Sequence, residues 1–203
     1  MSTITTPPFL PTFLSGRVPY RLSVEKYEAM VASGVFTKGD RFELIEGLLV
    51  ATMTKGRMHS AGSVKCRQRI ERVLPAGWHV RIETPVRIPR RDSAPEPDIS
   101  VVRGDPDDYL DLDPGPPDVT MVIEVSDSTI EADRAMAPTY GGGGIPVYWI
   151  VNVKDRQVEV YANPVGGAYP ASTILGEGQS VDLIIGDQVV GQVPVADLLP
   201  RRF

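Results

Sequence analysis

Two carboxylates stand in apolar surroundings: Asp98 in the stretch EPDISVV and Glu124 in VTMVIEV. A strand buried on both faces reads as a near-continuous apolar run, and an ionised carboxylate inside one is costly unless a cation or hydrogen bonds compensate it. If the two strands are neighbours in one sheet, the carboxylates can converge on one divalent cation. Hard oxygen donors of that kind suit magnesium or manganese. The competing reading is structural, with each carboxylate paired to an arginine such as Arg81, Arg87 or Arg103.

Other chemistry-bearing residues are scattered around this pair. Glu43 and Glu46 lie in FELIEGLLV, where a strand-turn glutamate is either solvated or adds to a metal site. His59 precedes a basic helix and is placed to touch a substrate or to serve as a surface or capping residue. That helix carries Lys65, Arg67, Arg69 and Arg72, which suit a nucleic-acid backbone or simply a solvated face. The run Gly141 to Gly144 has no Gly-Lys-Ser/Thr after it, so it reads as a flexible connection into the next strand rather than a phosphate cradle.

The elements that must position these residues follow from local pattern. SVEKYEAMVASG reads as a helix with Ser23 as N-cap and Gly34 as its end. RFELIEGLLVATM reads as two strands around Glu46-Gly47, an acidic-glycine hairpin signal. HSAGSVKCRQRIERVL has apolar residues near helical spacing and is the longest amphipathic helix. Strands follow at WHVRIETPVRI, EPDISVV and VTMVIEV, then a helix opened by the capping-box pattern Ser128 to Glu131. Pro138 removes a backbone donor and should end that helix near Ala137. PVYWIVN and QVEVYA are further strands, with Tyr148 and Trp149 as core, and the tail is a strand pair closing on a short terminal helix.

The 203 residues, 42% hydrophobic and 23% charged, fit one domain over residues 21–203 behind a proline-bearing, mobile arm over residues 1–20. A net charge of -5 argues against a protein that coats nucleic acid through an overall basic field. A lone cysteine, no signal-peptide pattern and no long apolar run point to a cytoplasmic protein that does not span a membrane.

The order FELIEGLLV, MHSAGSV, EPDISVV, VIEVSDST, ADR, YGGGGIPVYWIVN and VEVY resembles the Uma-two family of restriction-endonuclease-like proteins, from Val24 to the C-terminus. An acidic residue after a proline on one strand, with a glutamate on the next, also resembles the PD-(D/E)XK phosphodiesterase core. The resemblance implies an α/β (α+β) fold: a restriction-endonuclease-like core, a mixed β-sheet flanked by helices, with extra C-terminal strands. It implies a metal-dependent endonuclease hydrolysing nucleic-acid phosphodiester bonds with Mg2+ or Mn2+, acting on DNA or another nucleic acid, and a homodimer. Asp98 and Glu124 become the metal ligands, with Glu43 or Glu46 nearby.

The chain departs from that family at one point. Members carry a lysine after an Asp-Arg pair, four residues before a tyrosine; here the pair is Asp133-Arg134, and the steps from Tyr140 and Asp133 reach Met136 and Ala137. Arg134 is the nearest cation. A guanidinium binds phosphate well but hardly donates a proton at neutral pH. Losing one preorganised charge commonly costs about 100- to 1000-fold in turnover. The expected function is therefore a metal-dependent nuclease, weak or inactive, using Asp98, Glu124 and Arg134. The alternative is a catalytically degenerate nuclease fold serving as a nucleic-acid-binding or protein-interaction module.

Overall fold

A computed structural model describes residues 18–201 except 38, 53 and 187. Of the arm expected over residues 1–20, residues 1–17 lie outside the described residues. Helix α1, Val24–Ala32, starts as its N-cap requires: the Ser23 hydroxyl accepts from the Lys26 N–H at 3.3 Å. Strands β1, Phe42–Ile45, and β2, Leu48–Ala51, pair antiparallel. Glu46 and Gly47 between them both have positive φ, 50° and 77°, as a two-residue hairpin turn of the primed type needs. A single bridge from Leu44 to Ala94 joins this hairpin to the segment entering the main sheet.

Helix α2 spans Arg57–Val73. The main sheet then forms from β3 (Trp78–Arg81), β4 (Ile99–Arg103), β5 (Val119–Ser126), β6 (Val147–Asn152), β7 (Gln157–Ala162) and β8 (Thr173–Gly176), in that spatial order. Only β5 and β6 are parallel; the other neighbours are antiparallel. Parallel neighbours need a crossover, and here it is helical: α3, Ile130–Ala135, and α4, Ala137–Gly143. The chain ends in a hairpin, β9 (Ser180–Ile185) and β10 (Gln188–Pro194), and a short helix α5, Val195–Leu198.

Because successive strand residues face opposite sides, β5 and β6 each serve two cores. Ile123, Val125, Trp149 and Val151 pack with Cys66 and Ile70 of α2, with Leu183 and Val193 of the terminal hairpin, and with Leu198 of α5. Val122, Tyr148 and Ile150 pack on the other side with Tyr140 of α4, Val86 and Ile88. Both sides are covered, which is why VYWIVN is buried throughout. The mixed sheet flanked by helices, with added C-terminal strands, is the architecture expected from the sequence.

Two local expectations are corrected and one is extended. The Ser128 to Glu131 capping box does not form: Thr129 is the N-cap without a capping bond, and its hydroxyl donates instead to Asp133 Oδ2 at 2.7 Å. The helix expected to stop near Ala137 does stop, at Ala135 with Met136 as its C-cap, and a second helix, α4, follows at once, because Pro138 sits in its first turn, where the missing N–H is not needed. The glycine run is not a flexible connection. Gly141, Gly142 and Gly143 are helical, and Gly144 ends the helix in the left-handed region at φ 92°.

Close approach explains why residues of poor helix propensity stand there. A Cβ on Gly141 would lie 3.0 Å from the Tyr169 ring, one on Gly142 3.0 Å from Arg91 Cδ, and one on Gly143 2.3 Å from Ile88 Cγ2. Gly143→Ala is therefore expected to lower stability by about 1–3 kcal/mol through overpacking, despite alanine's better helix propensity. A thermal melt showing an unchanged or higher Tm would contradict this. Among the described residues, no helix is long and apolar enough to cross a membrane.

Candidate active site

Ile99 of β4 faces Ile123 of β5, so Asp98, one step before the strand, stands opposite Glu124. Each side chain takes a backbone hydrogen bond from the other's neighbourhood. The Asp98 N–H donates to Glu124 Oε2 at 3.1 Å, and the Val125 N–H donates to Asp98 Oδ2 at 2.7 Å. The sheet backbone thereby holds the two carboxylates together at the end of β4. Neither is paired with the arginines named above: Arg81 binds Asp113, Arg87 binds Glu25 and Glu28, and Arg103 binds Asp118.

The two members of the pair differ in their compensation. Lys55 Nζ donates to Asp98 Oδ1 at 2.5 Å, and His59 Nε2 lies 2.8 Å from Asp98 Oδ2, where only the nitrogen can donate to an ionised carboxylate. Burial raises the Asp98 carboxyl, but His59 and Lys55 outweigh it and hold it below its ordinary value. Among the described residues, Glu124 receives only the Asp98 N–H and the Tyr140 hydroxyl, the latter at 2.9 Å. Burial first, then the charges of Asp98 and Asp133, push its carboxyl well above the ordinary value. An acid that resists ionisation beside an ionised one marks a place where added positive charge would be stabilised.

The other residues singled out in the sequence distribute around this centre. Glu43 accepts from the Glu96 N–H at 2.9 Å, and burial raises its carboxyl, with the Asp98 charge adding to the effect. Glu46 turns elsewhere: its Oε1 accepts from Arg91 Nε and from Thr139 Oγ1, both at 2.8 Å, tying the hairpin turn to α4. Asp133 accepts from Thr129, and burial raises its carboxyl. His59 lies in the first turn of α2 rather than in a loop before it.

Arg134 is not brought to the pair. Its Nε and Nη2 donate to Glu159 at 3.0 and 2.6 Å, and Nη1 to Glu131 at 2.8 Å. Glu124 is level with Ile150, and Ile150 with Glu159, so the two glutamates are two strands apart, about 10 Å by strand spacing. Arg134→Ala should act mainly on stability, costing about 1–3 kcal/mol because the Glu159 side chain, 2% exposed, loses its charged partner. Arg134 holds the Glu159 carboxyl below its ordinary 4.5, so this contribution is present above that value and lost as pH falls through the lower folded one. Melts of the variant should lack that acid-side loss; an identical pH profile would contradict the assignment.

Two neighbours of the pair were not legible as site residues. Lys55 lies between β2 and α2 in a stretch without periodic signal, its only cue being a cation four residues before His59. Tyr140 stood out in the sequence only as a landmark for counting.

The donor set fits a divalent cation of the hard type. Among the described residues, no three histidine, cysteine or carboxylate side chains converge as an all-protein cage. Mg2+ seldom uses one; it keeps several waters and binds through one or two carboxylates together with substrate phosphate oxygens. Asp98 and Glu124 offer that number, and Glu124 lacks a cation partner among the described residues.

The main sheet is mixed and is covered by helices on both faces. A crystal structure described as "a putative nuclease belonging to DUF820 from Anabaena variabilis" shares this fold, with TM-score 0.66 and 16% identity over 87% of this chain and 97% of that one. The Uma2 family model, described as "Putative restriction endonuclease", matches residues 24–190, and the chain belongs to that family. No curated protein matches it.

Proposed function

We propose that this protein is a metal-dependent phosphodiesterase acting on nucleic acid, with Asp98 and Glu124 holding Mg2+ or Mn2+. The observation that carries this reading is Glu124: a buried carboxylate opposite a second one, compensated by a backbone N–H and a phenol but, among the described residues, by no cation. When bound, a divalent cation makes water a better nucleophile, polarises the phosphate and steadies the leaving oxygen. The chain's own residues do the positioning. The Asp98 N–H and the Tyr140 hydroxyl fix the two Glu124 oxygens, and the Val125 N–H and His59 fix Asp98 Oδ2. In the hydrolysis a water oxygen bonds to phosphorus as that water gives up one proton to solvent, the phosphorus–oxygen bond to the sugar breaks, and the departing oxygen takes a proton from solvent.

A second reading rests on a specific observation. Helices α3 and α4 bring the pair a tyrosine and no cation, since Arg134 is engaged by Glu159 and Glu131. A chain of that kind fits a nuclease fold that binds nucleic acid without cutting it. Incubation of plasmid and single-stranded DNA with Mg2+ or Mn2+ separates the readings. The first expects metal-dependent cleavage that is lost in Asp98→Ala and Glu124→Ala. DNA binding without cleavage supports the second, and cleavage unchanged in both variants overturns the site.

A further inference from the structure

We propose that Lys55 is the cation that stabilises the charge developing on phosphorus; this rests on the phosphodiesterase reading above. Two carboxylates and one divalent cation sum to zero charge, whereas a phosphodiester gains negative charge as water attacks it. A further preorganised positive group beside the phosphate is what that step requires. Among the described residues, the ammonium hydrogen-bonded to the pair is that of Lys55, at Asp98 Oδ1.

Its placement suits the task in three respects. An ammonium has three N–H donors, and Lys55 uses two, to Asp98 at 2.5 Å and to Glu83 at 2.8 Å, which leaves one for a phosphate oxygen. Its side chain is 32% exposed, between Asp98 at 4% and Glu83 at 50%, so it stands where a phosphate arriving from solvent meets the buried pair. The Glu83 contact is a second tether on the ammonium and so limits its swing. His59 sits on the other Asp98 oxygen, and Arg134 is two strands away at Glu159. The role is electrostatic throughout: Lys55 neither gives nor takes a proton, and the bonds formed and broken are those of the hydrolysis described above.

The test compares wild type, Lys55→Ala and Lys55→Arg in two measurements: Mn2+-dependent plasmid cleavage, and Mn2+ binding by calorimetry without DNA. Lys55→Ala is expected to lose about 100- to 1000-fold in turnover. Its Mn2+ affinity should be unchanged or higher, because a cation competing for Asp98 has gone. Lys55→Arg should recover part of the turnover. A merely structural lysine would lower turnover and metal affinity together, and that result overturns the proposal. So does a Lys55→Ala protein that cuts as fast as wild type, which leaves the phosphodiesterase reading intact. A wild type that binds Mn2+ but never cuts overturns that reading, and the role of Lys55 with it.

Discussion

Glu124→Gln is expected to lose metal-dependent cleavage by about 1000-fold or more and, without metal, to melt at a higher temperature than the wild type. The first effect follows from removing one of the two charged ligands proposed for the metal. The second follows from burial: Glu124 is penalised by desolvation and by Asp98 and Asp133, so ionising it works against the folded state. Its folded pKa is raised above the ordinary 4.5, so stability falls as pH rises from there through the folded value and then stays flat. Glutamine removes that loss. The amide oxygen can still accept from the Asp98 N–H, and the Tyr140 hydroxyl can rotate to accept from the amide nitrogen. Melting curves across pH give the answer: a variant less stable than wild type at neutral pH would contradict the description of Glu124.

Asp98→Ala is expected to abolish cleavage as well, but with the opposite sign in stability. Asp98 is the acceptor for Lys55, His59 and the Val125 N–H, and its loss leaves all three without that partner. Breaking a buried pair from one side costs about 3 kcal/mol, a fall of about 6–12 °C in Tm for a domain of this size. Relief of the repulsion on Glu124 offsets only part of this. Because Asp98 is held below its ordinary 3.8, its contribution is present above that value and lost as pH falls through the folded one. A melt of Asp98→Ala at or above the wild-type temperature would show that the carboxylate is not the anchor described. Opposite stability changes in two variants that both fail to cut distinguish a site from a general loss of structure.

The parts of this arrangement that were legible in the sequence are those that depend on neighbours in the chain or on a violated pattern. Glu46-Gly47 announces its hairpin because the turn is local. Glu124, within β5, and Asp98, at the mouth of β4, announce themselves because a carboxylate in or beside a buried strand breaks the apolar pattern. What escaped depends on distant partners. Lys55 meets Asp98 across 43 positions of sequence, and a loop lysine carries no mark of that. Arg134 was expected near Glu124 from chain proximity, whereas β7 presents Glu159, a buried carboxylate, closer to it. The glycine run reads as a loop by composition, but Tyr169 and Arg91 approach that helix closely and Ile88 leaves no room for a Cβ at Gly143. The capping-box pattern at Ser128 to Glu131 failed because the helix starts one residue later than the pattern requires, with Thr129 rather than Ser128 as its N-cap.

The central claim is that Asp98 and Glu124 together hold a divalent cation, and the most direct measurement is the Tm of wild type and Glu124→Gln with and without Mn2+. A ligand that binds only the folded state adds about 2.7 kcal/mol at one hundred times its Kd, which is about 5–10 °C for a chain of this length. Saturating Mn2+ should raise the wild-type Tm by that order and leave Glu124→Gln where it was. An equal shift in both proteins, or none in the wild type at millimolar Mn2+, would contradict that claim.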